Sequence, residues 1–240
     1  MITIKGKHAI LEALETTTAV KHVMIADGAQ SNADIRRIIS VAKQNRVRIS
    51  TLSKLELAKR FPDGNTQSII AEMTAIPHIG LQDLIKKHTA ESKYVILDHL
   101  EDPYNFGAIM RTAVALGVDA IIYPKDRQVS ITAGVIKASS GAAYKIPLVR
   151  VPNIAQCIDT FKKNDIWVYG TNVENGEPLN RIRINTPFAL VVGNESKGVS
   201  KRISKMVDCN VHIPTTGRIE SLNVSVATGI LLYSMCNQSS

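Results

Sequence analysis

The sequence predicts an α/β protein in which a small N-terminal α/β unit precedes a larger, mostly parallel sheet with helices on both faces. Three observations lead to this fold class. Short apolar runs alternate with helix-like segments along nearly the whole chain, as in sheets built from strand–helix–strand units. A polar stretch with a proline break separates residues 1–75 from residues 93–240. Three apolar runs in the second part end in polar loops rich in Gly, Asn, Glu and Ser.

The N-terminal unit is predicted from helix and strand patterns that alternate over residues 1–75. A helix follows the turn at Gly6, and residues 32–45 carry apolar side chains at the spacing of one helical face. The other elements are strands at residues 21–26, 47–52 and 67–73 and a helix at residues 54–61. Residues 76–92 are predicted to be a linker that contains a polar helix.

The second domain, residues 93–240, repeats the strand–helix alternation over a longer stretch. A Ser/Ala/Gly-rich segment at residues 131–146 interrupts it. The predicted elements are, in order, a strand at 93–98, a helix at 105–117, strands at 120–124 and 166–172 on either side of a helix at 153–164, a strand at 188–193, a helix at 201–207, a strand at 209–214 and a helix at 222–235.

Composition and charge favour a polyanionic partner. The chain has 240 residues, a formal charge of +8 and a pI of about 9.4. Residues 1–75 hold 11 Lys/Arg against 7 Asp/Glu, so the small unit is the more basic per residue. Three cysteines without zinc or CxxC spacing indicate inert thiols in a reducing compartment. No apolar run suits a signal peptide or a membrane span, so we expect a cytoplasmic protein.

Several familiar site motifs are missing from the sequence. There is no GxGxxG after a strand, no GxxxxGK[ST], no GxSxG, no HExxH and no paired-Cys metal motif. The sequence therefore argues against a dinucleotide site, a nucleotide triphosphatase, a serine hydrolase and a bound metal.

The functional residues are expected in three segments, Leu97–Gly117, Phe188–Ser200 and His212–Met235. Each runs from an apolar strand into a polar loop, and ligands bind at such strand ends in open α/β sheets. At these segments the chain resembles the SpoU (TrmH) family of RNA ribose 2′-O-methyltransferases. The resemblance covers residues 93–235, and residues 1–75 resemble the small RNA-binding domain that many members carry.

The resemblance implies a trefoil-knotted methyltransferase domain, S-adenosylmethionine as methyl donor and a homodimer. It also implies a set of cofactor-binding residues: Gly193 through close backbone approach, Ile213 and Leu222 through their main chains, and Thr171 and Asn194 beside them.

The resemblance places the catalytic residues in the same three loops. Arg111 would hold the phosphate next to the target ribose and stabilise the developing alkoxide, since a guanidinium normally stays protonated. The alternative, suggested by related enzymes, is that Arg111 acts as general base. Asn105, Glu195, Ser221 and Asn223 would orient Arg111, the ribose and the loops.

Each of these residues also has a purely structural interpretation. Asn105 alone, or Ser221 with Asn223, would cap the helix that follows. Arg111 would be a surface residue, and Glu195 a solvated turn residue.

RNA contacts are expected mainly from the N-terminal unit. Arg36 and Arg37 lie on one predicted helix, and Lys5 and Lys7 flank Gly6. The predicted function is methylation of a ribose 2′-hydroxyl, most simply of a guanosine in large-subunit ribosomal RNA. The alternatives are a transfer RNA substrate and a non-catalytic RNA-binding factor in ribosome assembly.

Overall fold

A computed structural model describes residues 1–16, 19–62, 67–126, 129, 131–173, 175–218 and 221–238. Its strands are β1 (Ile2–Lys5), β2 (Val20–Ala26), β3 (Arg48–Leu52), β4 (Ile69–Met73), β5 (Lys93–Leu97), β6 (Ala120–Pro124), β7 (Leu148–Val151), β8 (Trp167–Thr171), β9 (Glu177–Pro178), β10 (Phe188–Val192) and β11 (Cys209–His212). Its helices are α1 (Lys7–Thr16), α2 (Ala33–Gln44), α3 (Lys54–Arg60), α4 (Leu81–Ile85), α5 (Pro103–Ala115), α6 (Ala133–Ala138), α7 (Ile154–Lys162), α8 (Lys201–Ser204) and α9 (Val224–Gln238).

The chain divides into two compact units. The first comprises Met1–Ile76 and Ile131–Tyr144, and the second comprises Pro77–Ser130 and Lys145–Ser240. The sequence predicts that residues 131–144 belong to the second domain. The structure places them in the first unit, where α6 packs against α1 and β1 and Lys137 forms a 3.2 Å salt bridge with Glu12.

The first unit is a four-stranded sheet in the order β1-β4-β2-β3. Strands β2 and β3 are parallel, and β4 is antiparallel to both β1 and β2. Two of its helices begin at capping side chains: Asn32 accepts hydrogen bonds from the backbone at the start of α2, and Ser53 and Glu56 form a reciprocal capping box at α3. Strand β1, which precedes the Gly6 turn, was not predicted.

The second unit contains a seven-stranded sheet in the order β7-β6-β5-β10-β8-β11-β9. Every pairing in it is parallel. The fold class predicted from the sequence is thereby confirmed. The knot implied by the resemblance stays a prediction.

Alternate strand residues point to opposite sides of this sheet, and both sides are apolar. Helices therefore cover both faces. Tyr94 and Ile96 of β5 belong to the core cluster that also holds Leu84 of α4, Phe161 of α7 and Ile203 of α8. On the opposite face, the ring of Phe106 in α5 packs edge-on against Tyr123 in β6. Helix α9 packs against α5 and β10.

Residues 77–92, predicted as part of a linker, are built into the second unit. Ile79 donates its backbone N–H to Leu148 O at 3.0 Å, beside edge strand β7. Leu84 and Ile85 of α4 are buried. The sequence suggested a linker because polar residues outnumber the few apolar side chains that dock on the sheet.

Candidate active site

A cavity of about 910 Å³ lies where three parallel strands of the second unit end. The loops after β8, β10 and β11 form its walls together with α8 and the first half of α9. This is the end of a parallel sheet where ligands bind in open α/β folds. Its volume falls within the roughly 300–1,000 Å³ typical of small-ligand sites.

The five residues predicted to bind a cofactor all line this cavity: Thr171, Gly193, Asn194, Ile213 and Leu222. Of the five predicted catalytic residues, Glu195 and Ser221 line it as well. Asn105, Asn223 and Arg111 are not among its lining residues.

Gly193 is required by the backbone of its own loop. A Cβ at this position would lie 2.0 Å from Gly198 C and from Val199 N. The loop closes so tightly because Asn194 and Gly198 exchange two backbone hydrogen bonds, of 3.0 and 2.9 Å. Gly193 therefore approaches the protein main chain closely and shapes the cavity wall, while its close approach to a cofactor stays a prediction.

Asn194 stabilises the same loop with its side chain. Its Oδ1 accepts hydrogen bonds from the backbone N–H groups of Ser196 and Lys197, at 3.0 and 3.2 Å. Its Nδ2 donates to His99 O at 2.9 Å. The Asn194 amide thus ties the loop after β10 to the chain that follows β5.

Asp98 holds the far end of the loop. This carboxylate is only 3 % exposed, and its Oδ2 accepts the backbone N–H of Ser200 at 3.0 Å. Its Oδ1 lies 2.7 Å from Nδ1 of His99. Asp98 and His99 together therefore clasp both ends of residues 194–200. Neither residue is among those predicted from the sequence, although a carboxylate directly after a buried strand is a usable signal.

Glu195 connects the loop after β10 to the segment around α5. Its carboxylate accepts the backbone N–H groups of Glu101 and Asp102, at 3.3 and 3.1 Å. It also accepts Nδ2 of Asn105 at 3.2 Å. The interpretation of Glu195 as a solvated turn residue is wrong, because both carboxylate oxygens have protein partners.

Asn105 continues the connection to the third segment. Its Oδ1 accepts Nδ2 of Asn223 at 3.0 Å, and the residue is 9 % exposed. Asn223, Asn105 and Glu195 therefore form one hydrogen-bonded chain that joins all three predicted segments.

The helix caps decide between the alternatives left open for two residues. Asp102 caps α5 by accepting from the backbone of Tyr104 and Asn105, so Asn105 is not the cap. Asn223 does cap α9, since its Oδ1 accepts the N–H groups of Ser225 and Val226. Ser221 is exposed and lies ahead of that cap.

Arg111 lies on the exposed side of α5. Tyr104, seven residues earlier and so two turns away on the same face, is 68 % exposed. The neighbouring helix α9 exposes Val226, Ile230 and Tyr233 at helical spacing. The exposed apolar side chains of these two neighbouring helices are called the α5–α9 surface: Tyr104, Val226, Ile230 and Tyr233. Arg111 lies on the same helix as Tyr104.

The cations proposed to bind RNA in the first unit are largely engaged. Lys7 pairs with Asp34 at 2.8 Å, which lowers the pKa of that carboxyl, and Arg37 pairs with Glu15 at 3.0 Å. Arg36 donates to Ser31 O at 2.6 Å. Lys5 is half-buried in β1.

The thiols match the inert role expected of them. Cys157 is fully buried, and burial raises the pKa of its thiol to about 12. Burial also raises the pKa of Cys209 and Cys236. Within the described ranges, no group of three or more His, Cys, Asp or Glu side chains is arranged to hold a metal ion. No helix in the described part of the chain has the length and apolarity needed to cross a membrane.

Two family models match the chain, and they cover most of it. Residues 92–233 match the SpoU rRNA methylase family. Residues 3–78 match the RNA 2′-O ribose methyltransferase substrate-binding family.

Similar proteins carry related descriptions. A TrmH family tRNA/rRNA methyltransferase from Staphylococcus epidermidis is 35% identical over 237 residues, which is 97% of this chain and 94% of that protein. The SpoU methyltransferase AviRb from Streptomyces viridochromogenes, solved with AdoMet, aligns with a TM-score of 0.71 at 24% identity, covering 98% of this chain and 89% of its own. A TrmH/SpoU tRNA-modifying enzyme from A. aeolicus has a TM-score of 0.55 at 30% identity and covers 66% of this chain and 83% of its own.

Proposed function

Because this chain belongs to the SpoU family of S-adenosylmethionine-dependent RNA methyltransferases, we propose that it methylates the ribose 2′-hydroxyl of a guanosine in large-subunit ribosomal RNA. Transfer RNA is the second candidate substrate, since the relatives are described as tRNA/rRNA methyltransferases. The proposed location is the cytoplasm, where both RNAs are found.

One observation supports a working site above all others. The hydrogen bonds that connect Asn223, Asn105 and Glu195 join the three segments beside a cavity at the ends of β8, β10 and β11. A non-catalytic RNA-binding factor would have no need for this cavity. We therefore favour an enzyme over an assembly factor that has lost its chemistry.

The cavity suits a nucleoside with an amino-acid tail. Val192, Ala227 and Leu231 provide apolar wall, while Thr171, Asn172 and the main chain at Ile213 and Leu222 provide polar groups. A mostly apolar cleft with a few placed polar groups is the usual form of such a site. When bound there, S-adenosylmethionine supplies the electrophilic methyl group.

Arg111 is proposed to act on the RNA. Its guanidinium can hold a phosphate through two parallel hydrogen bonds and stabilise negative charge that develops on the 2′-oxygen. The proton then leaves to phosphate or water, because a guanidinium is a poor base at neutral pH. Glu195, Asn105 and Asn223 act as positioning residues, since their side chains bind one another and the loop backbone.

The first unit is proposed to select the RNA, in keeping with its match to a substrate-binding family. Its basic side chains make that binding salt-dependent. The pairing of Lys7 and Arg37 with acidic neighbours means that these two cations must exchange partners to reach a phosphate.

The α5–α9 surface is proposed to be a homodimer interface. It exposes large apolar side chains, including Tyr104 on the same helix as Arg111, and such a patch on a soluble enzyme favours a partner surface. A second copy seated there would bring Arg111 close to the partner's site.

To test the function, the protein is given labelled S-adenosylmethionine and either bulk ribosomal RNA or bulk transfer RNA. Nuclease mapping then locates the modified ribose. Arg111→Ala should lower the transfer rate about a hundredfold or more, as for loss of a preorganised charge at a reacting oxygen. Its affinity for S-adenosylhomocysteine, measured by calorimetry, should stay nearly unchanged, because Arg111 does not line the cavity.

Arg111→Lys is the matched control, since it keeps the charge and loses the planar fork. It should recover little activity. An Arg111→Lys enzyme with most of the wild-type rate would refute the bidentate role, and a fully active Arg111→Ala enzyme would make Arg111 a surface residue. Methyl groups found only in transfer RNA would correct the substrate.

A further inference from the structure

We propose that Lys197, Lys201 and Lys205 form a cationic rim that binds successive backbone phosphates of the RNA strand at the mouth of the cavity. The proposal rests on the function proposed above and extends it. It places RNA contacts in the second unit, in addition to those expected in the first.

The three side chains share one location. All three line the cavity and are exposed. Lys201 begins α8 and Lys205 follows its last residue, so the two are four residues apart and lie on the same side. Ser204, between them, also lines the cavity. Lys197 reaches the same opening from the loop after β10.

Nothing in the described part of the chain neutralises these ammonium groups through a salt bridge. By contrast, Lys162 in the same unit pairs with Asp208 at 2.8 Å. Glu195, the acidic residue among the described cavity-lining side chains, is turned toward the backbone of Glu101 and Asp102. The described rim therefore presents positive charge to whatever enters.

Charge balance favours RNA over the cofactor as the anion that these lysines bind. S-Adenosylmethionine carries a sulfonium and an ammonium against one carboxylate, so its net charge is positive and three lysines would repel it. An RNA strand brings one negative charge per nucleotide and releases counterions when lysines replace them. A phosphate next to the target ribose is the anion that must pass this rim.

The test measures RNA binding as a function of salt with the full-length protein and deproteinised large-subunit ribosomal RNA. Lys197, Lys201 and Lys205 are changed to Gln singly and together. Removing a lysine that binds a phosphate should flatten the slope of log affinity against log salt by about 0.7, which weakens binding about fivefold at about 0.1 M salt. Lys163→Gln is the matched control, because Lys163 is exposed in the same unit but does not line the cavity.

A second measurement separates the RNA from the cofactor. The triple variant should bind S-adenosylhomocysteine as tightly as the wild type. Wild-type slopes in the triple variant would overturn the rim, as would a loss of S-adenosylhomocysteine affinity without a change in RNA slope. Neither result would contradict the proposed function. That function fails if the wild-type protein transfers no methyl group to ribosomal RNA or to transfer RNA.

Discussion

Gly193 determines the shape of the site through main-chain crowding. Its loop folds back so that Gly198 and Val199 occupy the space a side chain would need. The sequence pointed to this glycine, and the resemblance implied close approach to a cofactor. The structure adds a cause within the protein itself, the tight loop closed by hydrogen bonds between Asn194 and Gly198.

Gly193→Ala should destabilise the protein and distort the cavity. A methyl group 2.0 Å from backbone atoms forces the loop open, and overpacking of this kind costs about 1–3 kcal/mol. Thermal unfolding and S-adenosylhomocysteine calorimetry measure the two effects. Gly229→Ala is the control. Gly229 lies in α9, and a Cβ there would be 3.6 Å from Thr112 Cγ2, an ordinary van der Waals distance. Equal stability and affinity in the two variants would show that the loop adapts to a side chain.

At the level of elements, helices and strands with strong hydrophobic periodicity were predicted from the sequence. Short strands and contacts between distant residues were not. The buried runs at β5, β6, β8 and β10 and the helical patterns at α2, α5, α7 and α9 were all recognised. Strands β1, β7 and β9 were not predicted, because each has four residues or fewer; β11 is equally short and was predicted as part of the longer run 209–214. The placement of α6 in the first unit depends on contacts with α1, more than a hundred residues away, which no local pattern encodes.

The candidate site was also predicted only in part. The loops that line the cavity were expected from their place at strand ends, which the sequence marks with Gly, Asn and Glu, and the individual cofactor-binding residues were implied by the family resemblance. The hydrogen-bonded chain through Asn105 was not expected, since it joins residues 90 and 118 positions apart. The clasp at Asp98 spans 102 positions and was equally invisible.

Asp98→Asn should loosen the loop after β10 while leaving the sheet intact. When Nδ1 of His99 carries its proton, the amide has one acceptor oxygen for two donors, Ser200 N–H and His99, so either one hydrogen bond is lost or His99 changes tautomer. An unsatisfied buried group costs about 1–3 kcal/mol. Hydrogen exchange should accelerate at residues 194–200 and stay slow in β5 and β10. His99→Ala, which removes only the exposed partner, should have the smaller effect. Unchanged exchange at residues 194–200 in Asp98→Asn would show that the clasp does not hold the loop.

At the scale of the whole molecule, the position of Arg111 outside the cavity raises the question of which chain's site it serves. In one chain, the described cavity is lined by loops after β8, β10 and β11, and Arg111 is not among its lining residues. Arg111 instead lies on the exposed side of α5, the helix that contributes Tyr104 to the α5–α9 surface, where Tyr104 and Tyr233 are 68% and 63% exposed. The catalytic role proposed for Arg111 is accounted for if a second copy covers that surface and offers its own cavity.

Mixing two inactive variants tests this arrangement. An Arg111→Ala chain keeps an intact cavity, and a Gly193→Val chain keeps an intact Arg111. If each site combines Arg111 of one chain with the cavity of the other, every mixed dimer has one complete site. Random exchange makes half of the dimers mixed, so about a quarter of wild-type activity should return. Thr171→Trp, which fills the cavity from the end of β8, replaces Gly193→Val if the valine variant does not remain dimeric in size-exclusion chromatography. Dimers that exchange chains but recover no activity would show that Arg111 serves the cavity of its own chain, and a monomeric wild-type protein would remove the shared site altogether.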